Sequence, residues 1–291
     1  MQHSHFLSEI DWRAPWLSNW AQLGLRVSCE VSEGEAQIES QGLDGNSNDS
    51  LVNVLNSNKG ELRFSFVDQS AFEGESTYET FIDQSGCIPT RKNLHDFLNG
   101  LSWIKYPQIK TAMLGVQAAQ VKHISNNNLK NSYVESQNSL NSDSLKITSA
   151  QHWGSERGPI RDALTVFDEN GILLQADAQI WRALEAKDWR RLFIDLRPLW
   201  QTARVRIFGH ALLEKLTSPR PSITGHVLKL RVPQGLDDPD IDAWVSKHIK
   251  TLDWATKPFT PIQVLGVPGW WADNELPAFY ENTTIFRPKS E

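Results

Sequence analysis

A helix-like stretch near residue 95 carries the polar side chains best suited to chemistry. His95 and Asn99 are four residues apart, so on a helix they share one flank. That flank borders an apolar stripe with helical spacing, formed by Leu94, Phe97, Leu98, Leu101 and Ile104. Imidazole binds metals and transfers protons near neutral pH. We therefore predict His95 and Asp96 as catalytic residues, with Asn99 and Trp103 binding the substrate.

The same stretch has structural interpretations that remain open. Asn93 is a suitable N-cap residue, and Asp96 then takes the third helical position, where a carboxylate satisfies free amide groups. Cys87 lies eight residues before His95 and could react as a thiolate if Arg91 and the helix N-terminus lower its pKa. The alternative for Cys87 is a small buried residue without a chemical role.

A second polar cluster lies around residues 157–169. Arg161 has the planar guanidinium that holds a phosphate or carboxylate through two parallel hydrogen bonds. Asp162 and Asp168 supply oxygen ligands, and we predict that they bind a divalent metal together with His95. The alternatives are a local ion pair between Arg161 and Asp162 and a turn-forming role for Asp168.

A third cluster begins at a Phe-Gly-His sequence. His210 and Glu214 are four residues apart and pair on a helix, away from its apolar side. Lys215 lies on the apolar side, where a lysine either extends its amine to water or binds a buried anion. We predict His210 as a third catalytic residue and Lys215, with Arg161, as a ligand of an anionic substrate.

Apolar periodicity predicts the elements that position these residues. Helices are expected over 16–23, where Gly24 ends the first one, and over 94–104, 177–186, 188–198 and 237–252. Strands are expected within 25–40, 62–67 and 223–232. Residues 163–174 are predicted as a β-hairpin, because Asn-Gly separates two apolar runs there. Residues 203–216 allow a strand that runs into a helix at Gly209, or one continuous helix.

The remaining segments define the domain organisation. Residues 42–59 are rich in Asn, Ser, Asp and Gly and are predicted to form a flexible loop. Twelve of the twenty residues 125–144 are Asn or Ser, so residues 125–147 are predicted to be a disordered insertion. The tail over 257–288 is rich in Pro and aromatic residues and is expected to cover the surface in extended segments. We predict a helix-rich α+β fold for a single domain, 1–291, with a small antiparallel sheet or hairpins.

Composition excludes several classes of protein. The net charge of −6 argues against a nucleic-acid partner, which requires a basic face. Two cysteines cannot build a disulfide framework or a zinc ribbon. No apolar run reaches the roughly 18 residues of a membrane span, and we expect a soluble, cytoplasmic protein. Glycine-rich phosphate loops are absent as well, so no nucleotide cofactor is expected.

Four ordered motifs indicate a family. They are PTRKNLHDFLNGLSW at 89–103, RDALTVFDENG at 161–171, FGHALLEKL at 208–216 and LGVPGWW at 265–271. With these motifs the chain resembles an uncharacterised bacterial family designated only as a domain of unknown function. The resemblance covers most of the chain outside residues 1–60 and 125–150. The Asn- and Ser-rich segment within the second of these ranges is an insertion relative to the usual pattern of the family. It implies a bacterial protein and no particular reaction.

Two functions follow from these residues. The first is a hydrolase-like enzyme for a small anionic substrate, with a divalent metal as its cofactor, if His95, Arg161 and His210 meet in one cleft. The second is a module without catalysis that binds a small ligand or a protein through a surface formed by some of its twelve tryptophans, including Trp270 and Trp271. Buried core packing is the competing role for the tryptophans.

Overall fold

The first half of the chain builds helices around a short parallel sheet. The computed structural model describes residues 5–40, 47–72, 76–120 and 158–289. The helices of this half are α1 (Ala21–Ser40), α2 (Ser47–Asn58), α3 (Tyr78–Ser85), α4 (Leu94–Lys105) and α5 (107–120). Strands β1 (Ser65–Asp68) and β2 (Cys87–Thr90) pair in parallel, with Phe66 opposite Ile88. Both of these facing side chains are buried, which fixes the register of the pair.

The second half combines helices with a four-stranded mixed sheet. Its helices are α6 (Pro159–Asn170), α7 (Ala178–Ala186), α8 (His210–Lys215) and α9 (Asp238–Ile249). Its strands are β3 (Gly171–Gln175), β4 (Arg204–Ile207), β5 (Thr224–Leu228) and β6 (Phe259–Gln263), in the order β4-β3-β5-β6. The helix-rich α+β prediction is confirmed. The predicted antiparallel pairing is confirmed for β3–β4 and β5–β6. The β1–β2 and β3–β5 pairs are parallel, because α3 connects β1 to β2, and α7, β4 and α8 lie between β3 and β5.

Both halves contribute to one continuous apolar core, so the described residues form a single domain. Helix α4 of the first half packs against α8 of the second. The indole N–H of Trp20 donates to the Ile207 carbonyl of β4 at 2.9 Å and ties the two halves together. The core-packing role of the tryptophans is confirmed for those that are buried: Trp12, Trp16, Trp20, Trp103, Trp181, Trp189, Trp200 and Trp254.

Helices replace the strands and much of the loop predicted near the N-terminus. Helix α1 runs through Gly24 and covers residues 25–40. Gly24 therefore lies inside α1 and not at its end. Its role is packing: the ring of Trp12 lies 2.1 Å from the position that a Cβ atom would take, so only glycine leaves room for this ring. Helix α2 covers 47–58 of the predicted loop 42–59, and residues 42–46 lie outside the described ranges. Leu51 and Leu55 are four residues apart and fully buried, and they pack α2 on the core. The many Ser and Asn residues around them led to the prediction of a loop, although the two leucines have helical spacing.

The predicted hairpin over 163–174 is also wrong. Helix α6 continues to Asn170, and β3 begins at once at Gly171. Gly171 has a φ of −70°, so the positive φ of a hairpin turn is not used. The buried residues Ala163, Leu164 and Phe167 have helical spacing, which the Asn-Gly signal obscured.

The other predicted elements are close to those observed. Side-chain caps at Asn93, Asp177 and Asp237 begin α4, α7 and α9. Residues 203–216 form β4 followed by α8, which is the first of the two solutions. The tail holds β6 and short 3₁₀ turns, and it buries Tyr280 and Phe286 rather than covering the surface in extended segments alone. The predicted insertion 125–147 lies outside the described residues. Among the helices that are described, none is long and apolar enough to cross a membrane.

Candidate functional site

A cleft of about 480 Å³ opens between the two halves of the domain. Residues from α3, α4 and α5 line it on one side, and residues from α6 and the start of α8 line it on the other. Four of the predicted site residues, His95, Asp96, Asn99 and Trp103, contribute from α4 alone. His210 and Asp168 join them from the second half. The central prediction of the sequence, that separate polar clusters meet in one cleft, therefore holds for these six residues.

A close backbone contact brings His210 into the cleft. Helix α8 begins at His210, directly after Gly209. A Cβ atom at Gly209 would lie 2.4 Å from the carbonyl oxygen of Glu169, at the end of α6. Glycine is therefore required for α8 to start against the end of α6. This contact places the imidazole of His210 near the carboxylate of Asp168.

The two imidazoles form a hydrogen-bonded chain with Glu214. Nδ1 of His95 donates to Oε2 of Glu214 at 2.8 Å, since a carboxylate can only accept. Nε2 of His95 lies 3.1 Å from Nε2 of His210, and the ring centroids are 4.5 Å apart. With the Nδ1 proton directed to Glu214, neutral His95 accepts on Nε2 and His210 donates its Nε2 proton. These proton positions are assigned from the hydrogen-bond network.

Burial keeps His210 neutral. Its side chain is 7% exposed, whereas that of His95 is 38% exposed. Removal from water, together with the positive charge of Lys110, lowers the pKa of His210 to about 3, although the Asp168 carboxylate acts in the opposite direction. Within the described part of the chain, Nδ1 of His210 is buried without a hydrogen-bond partner, and Asp168 Oδ2 is 3.8 Å away.

A buried lysine forms the base of the cleft. The Lys110 side chain is 4% exposed, and its ammonium donates to Asp168 Oδ1 at 2.6 Å and to Asn99 Oδ1 at 2.9 Å. It also lies 4.9 Å from the centre of the Trp103 ring. Asn99 in turn donates to the Tyr78 hydroxyl at 3.3 Å. Lys110 was not among the predicted site residues. The sequence pattern that could have identified it is a lysine among the apolar residues Ile109 and Met113, both buried, on a helix that starts with proline.

These contacts determine the protonation states of Asp168 and Tyr78 at the bottom of the cleft. Burial favours the neutral acid at Asp168, but the positive charge of Lys110 and the hydrogen bond from its ammonium outweigh this effect and hold the pKa of Asp168 below its usual value. Burial and the charge of Asp96 raise the pKa of the Tyr78 hydroxyl. Asp168 is therefore ionised and Tyr78 neutral at pH 7.

Asp96 lines the cleft but has mainly a structural role. Its backbone N–H donates to the Asn93 cap at 2.7 Å, as the capping interpretation predicts. Its carboxylate accepts from the backbone N–H of Arg91 at 2.7 Å and from the guanidinium at 3.0 Å. Because these bonds occupy the carboxylate, His95 and His210 are the remaining candidates for proton transfer among the predicted catalytic residues.

Three predicted site residues lie elsewhere. Arg161 pairs with Glu79 at 3.4 Å and is not part of the cleft wall. Lys215 is exposed and donates to the side chain of Asn170. Asp162 is exposed and is six residues from Asp168, about 9 Å along the helix. The prediction that Arg161 and Lys215 hold a substrate in the cleft with His95 and His210 is wrong.

The predicted metal site needs a different set of ligands. Asp162 cannot share an ion with Asp168 and His95, because it lies a turn and a half away along α6. Two imidazoles that bind Zn²⁺ at about 2.0–2.1 Å in a tetrahedron separate their nitrogens by roughly 3.3 Å, close to the 3.1 Å between His95 and His210. No third His, Cys, Asp or Glu completes a ligand set within the described ranges. Metal binding stays a prediction that elemental analysis of the purified protein tests.

A second cleft, of about 550 Å³, lies apart from the histidines. Trp16, Trp270 and Trp271 line it together with the charged residues Asp11, Arg13 and Glu275. Trp270 and Trp271 are half-buried, in contrast to the tryptophans of the core. This is the aromatic surface that the alternative function requires.

Comparison with known proteins identifies the family. A family model described as "Protein of unknown function (DUF3025)" matches residues 64–135 and 131–290. The chain therefore belongs to this family, which confirms the resemblance to a domain of unknown function. The comparisons with curated proteins and with solved structures gave no match. The matched residues include the helices that line the first cleft.

Proposed function

We propose that the protein is an enzyme that uses the first cleft for general acid–base catalysis on a small polar substrate. Water is the attacking group, so the reaction is hydrolase-like. The observation that carries this proposal is the hydrogen-bonded chain of Glu214, His95 and His210, which ends in the cleft. A carboxylate on one imidazole nitrogen leaves the other nitrogen free to accept a proton.

In this mechanism His95 is the general base. Its Nε2 accepts a proton from a water molecule that replaces the resting contact with His210. The imidazolium that forms is stabilised by Glu214, whose carboxylate lies 2.8 Å from Nδ1. The half-exposed position of His95 lets water and substrate reach it. The proton then passes to the leaving group, which restores neutral His95.

His210 and Lys110 act on the substrate side of the reaction. Neutral His210 keeps its Nε2 proton as a hydrogen-bond donor, because burial lowers its pKa to about 3. The ammonium of Lys110 is paired with Asp168 and also donates to Asn99, so it holds both side chains in place at the base of the cleft. A fixed donor such as the Nε2–H of His210 stabilises negative charge that develops on a substrate oxygen.

The test combines proton positions with activity. NMR of ¹⁵N-labelled imidazoles should show the proton of His95 on Nδ1 and that of His210 on Nε2. A panel of esters, amides and phosphoesters is then screened with the wild-type protein, and His95→Asn should lower kcat of any hydrolysis by roughly 10²- to 10⁴-fold. The matched control is His226→Asn, on β5 outside the cleft. The opposite tautomers, or equal kcat in His95→Asn and wild type, would overturn the proposal.

A second candidate function, ligand binding without catalysis, is favoured by the tryptophan cleft. Aromatic faces beside charged groups bind flat or partly apolar ligands. Ligands from a fragment screen by NMR should lose binding in Trp270→Ala and retain it in His95→Asn. Fragments that bind both variants equally do not use this cleft, and that result would remove the candidate.

A further inference from the structure

Charge distribution in the first cleft indicates the class of its substrate. Its lining includes four carboxylates, at Glu79, Asp96, Asp168 and Glu169, and two permanent cations, at Arg91 and Lys110. Arg161, beside the cleft, pairs with Glu79, so the carboxylates exceed the cations by one, Glu169. An anionic substrate would enter a site with more carboxylates than cations. The excess of carboxylates favours a positively charged substrate instead.

Both cations are already paired with acids. Lys110 binds Asp168 at 2.6 Å, and Arg91 binds Asp96 at 3.0 Å. An anion would have to compete with these carboxylates for the ammonium and guanidinium groups. Glu169 differs, because no ion pair or hydrogen bond joins its half-buried carboxylate to another residue in the described part of the chain.

Aromatic rings complete the lining. Phe72 and Tyr78 both face the cleft, with ring centroids 6.4 Å apart at an angle of 87°. Ring faces attract ammonium groups, and the contact of Lys110 with the ring of Trp103 already shows this interaction in the same cleft. The ring of Trp103 is therefore engaged, whereas Phe72 and Tyr78 are not paired with a cation among the described contacts.

Two buried polar atoms in the wall also lack partners. They are Nδ1 of His210 and Nε1 of Trp103, on side chains that are at least nine-tenths buried. Both atoms are closed to solvent, and the indole N–H of Trp103 can only donate, so an ammonium ion does not satisfy it. The class of substrate therefore follows from Glu169 and the aromatic rings.

We propose that the substrate of this cleft is a small organic amine, bound as its ammonium ion by Glu169 and by the rings of Phe72 and Tyr78. This inference rests on the proposed function, because it places the rest of the same molecule beside His95. Binding is nevertheless measured separately from catalysis. The cleft of about 480 Å³ suits a molecule of metabolite size.

A labelled methionine provides the probe. The chain has two methionines, Met1 and Met113, and Met113 lines the cleft. Methyl-¹³C labelling therefore gives a signal from the cleft, and Met113→Leu assigns it. The full chain is titrated with 1,4-diaminobutane, with the uncharged 1,4-butanediol and with the dianion succinate. The diamine should shift the Met113 signal, with at least tenfold tighter binding than either of the other two compounds.

Variants separate the proposal from its alternatives. Glu169→Gln should weaken diamine binding about tenfold, and Phe72→Leu about threefold, while Glu185→Gln on α7 serves as the matched control outside the cleft. Failure of the diamine to shift Met113, tighter binding of succinate, or unchanged affinity in both Glu169→Gln and Phe72→Leu would each overturn the inference. His95→Asn should retain diamine binding. If the diamine binds as expected but His95→Asn loses no turnover, the acid–base mechanism fails and the substrate class stands.

Discussion

Removal of the Lys110 ammonium should destabilise the fold through the charge that it leaves behind. In Lys110→Met the aliphatic stem stays on the Trp103 ring, but Asp168 loses its partner at 2.6 Å. Removing one member of a buried ion pair costs about 3–5 kcal/mol. Because the Asp168 side chain is 27% exposed, water screens part of its charge, and we expect the low end, about 3 kcal/mol. For a chain of this size that lowers Tm by roughly 6–9 °C.

Urea and thermal unfolding at two pH values test this reasoning. Without Lys110, burial raises the pKa of Asp168, so the folded variant binds a proton that the unfolded chain does not bind until lower pH. The destabilisation should therefore be smaller at pH 5 than at pH 8. Adding Asp168→Asn to Lys110→Met should recover about 1–2 kcal/mol by removing the unpaired charge. A loss that is independent of pH, with no recovery in the double variant, would refute the electrostatic explanation and indicate lost packing.

Three further predictions concern neighbouring features. Gly209→Ala should destabilise the protein by about 2 kcal/mol, because the added Cβ would overlap the backbone of Glu169. It should also abolish the contact between the two imidazoles in NMR spectra. A variant with wild-type stability would contradict this explanation. Burial raises the pKa of Asp242 to about 6 despite hydrogen bonds from the N–H groups of α5, including that of Ile109. The contribution of neutral Asp242 to the free energy of unfolding is fully present below about pH 4 and is lost as the pH rises through 6. Denaturation curves of Asp242→Asn should not show this loss of stability. For His210 the sign is reversed: with a folded pKa of about 3, its contribution is lost as pH falls from about 6.5, and its ¹⁵N shifts should remain those of a neutral ring at pH 5.

The sequence predicted those site residues whose local spacing was informative. The N-cap at Asn93 and the apolar stripe that follows it defined α4, so His95, Asn99 and Trp103 were found together. His210 was found because a strand that runs into a helix at a glycine places the first helical side chain at a corner, where a cleft can form. Each of these signals lies within about ten residues of the chain, where backbone geometry decides which side chains share a face.

Residues whose role depends on distant contacts were not predicted. Lys110 is recognised as part of the site only by its contact with Asp168, 58 residues away. Arg161 has the chemistry of an anion ligand, but its direction on α6 depends on where α6 packs, and Glu79 is the partner that it meets. The Asn-Gly pair at the end of α6 gave a hairpin because both turns and helix ends use these residues. Local patterns identify the available side chains, whereas packing selects the neighbours.

The separation of the two imidazoles along the chain has a consequence for how activity is lost. His95 and His210 are 115 residues apart, on helices that belong to different halves of the domain. Their 3.1 Å contact exists only while α4 remains packed on α8. On the proposed mechanism, any partly unfolded species in which the halves have separated is inert, even if each half keeps its own helices. We therefore expect turnover to report on docking of the halves more sensitively than helix content does, and heat inactivation to precede the loss of circular dichroism.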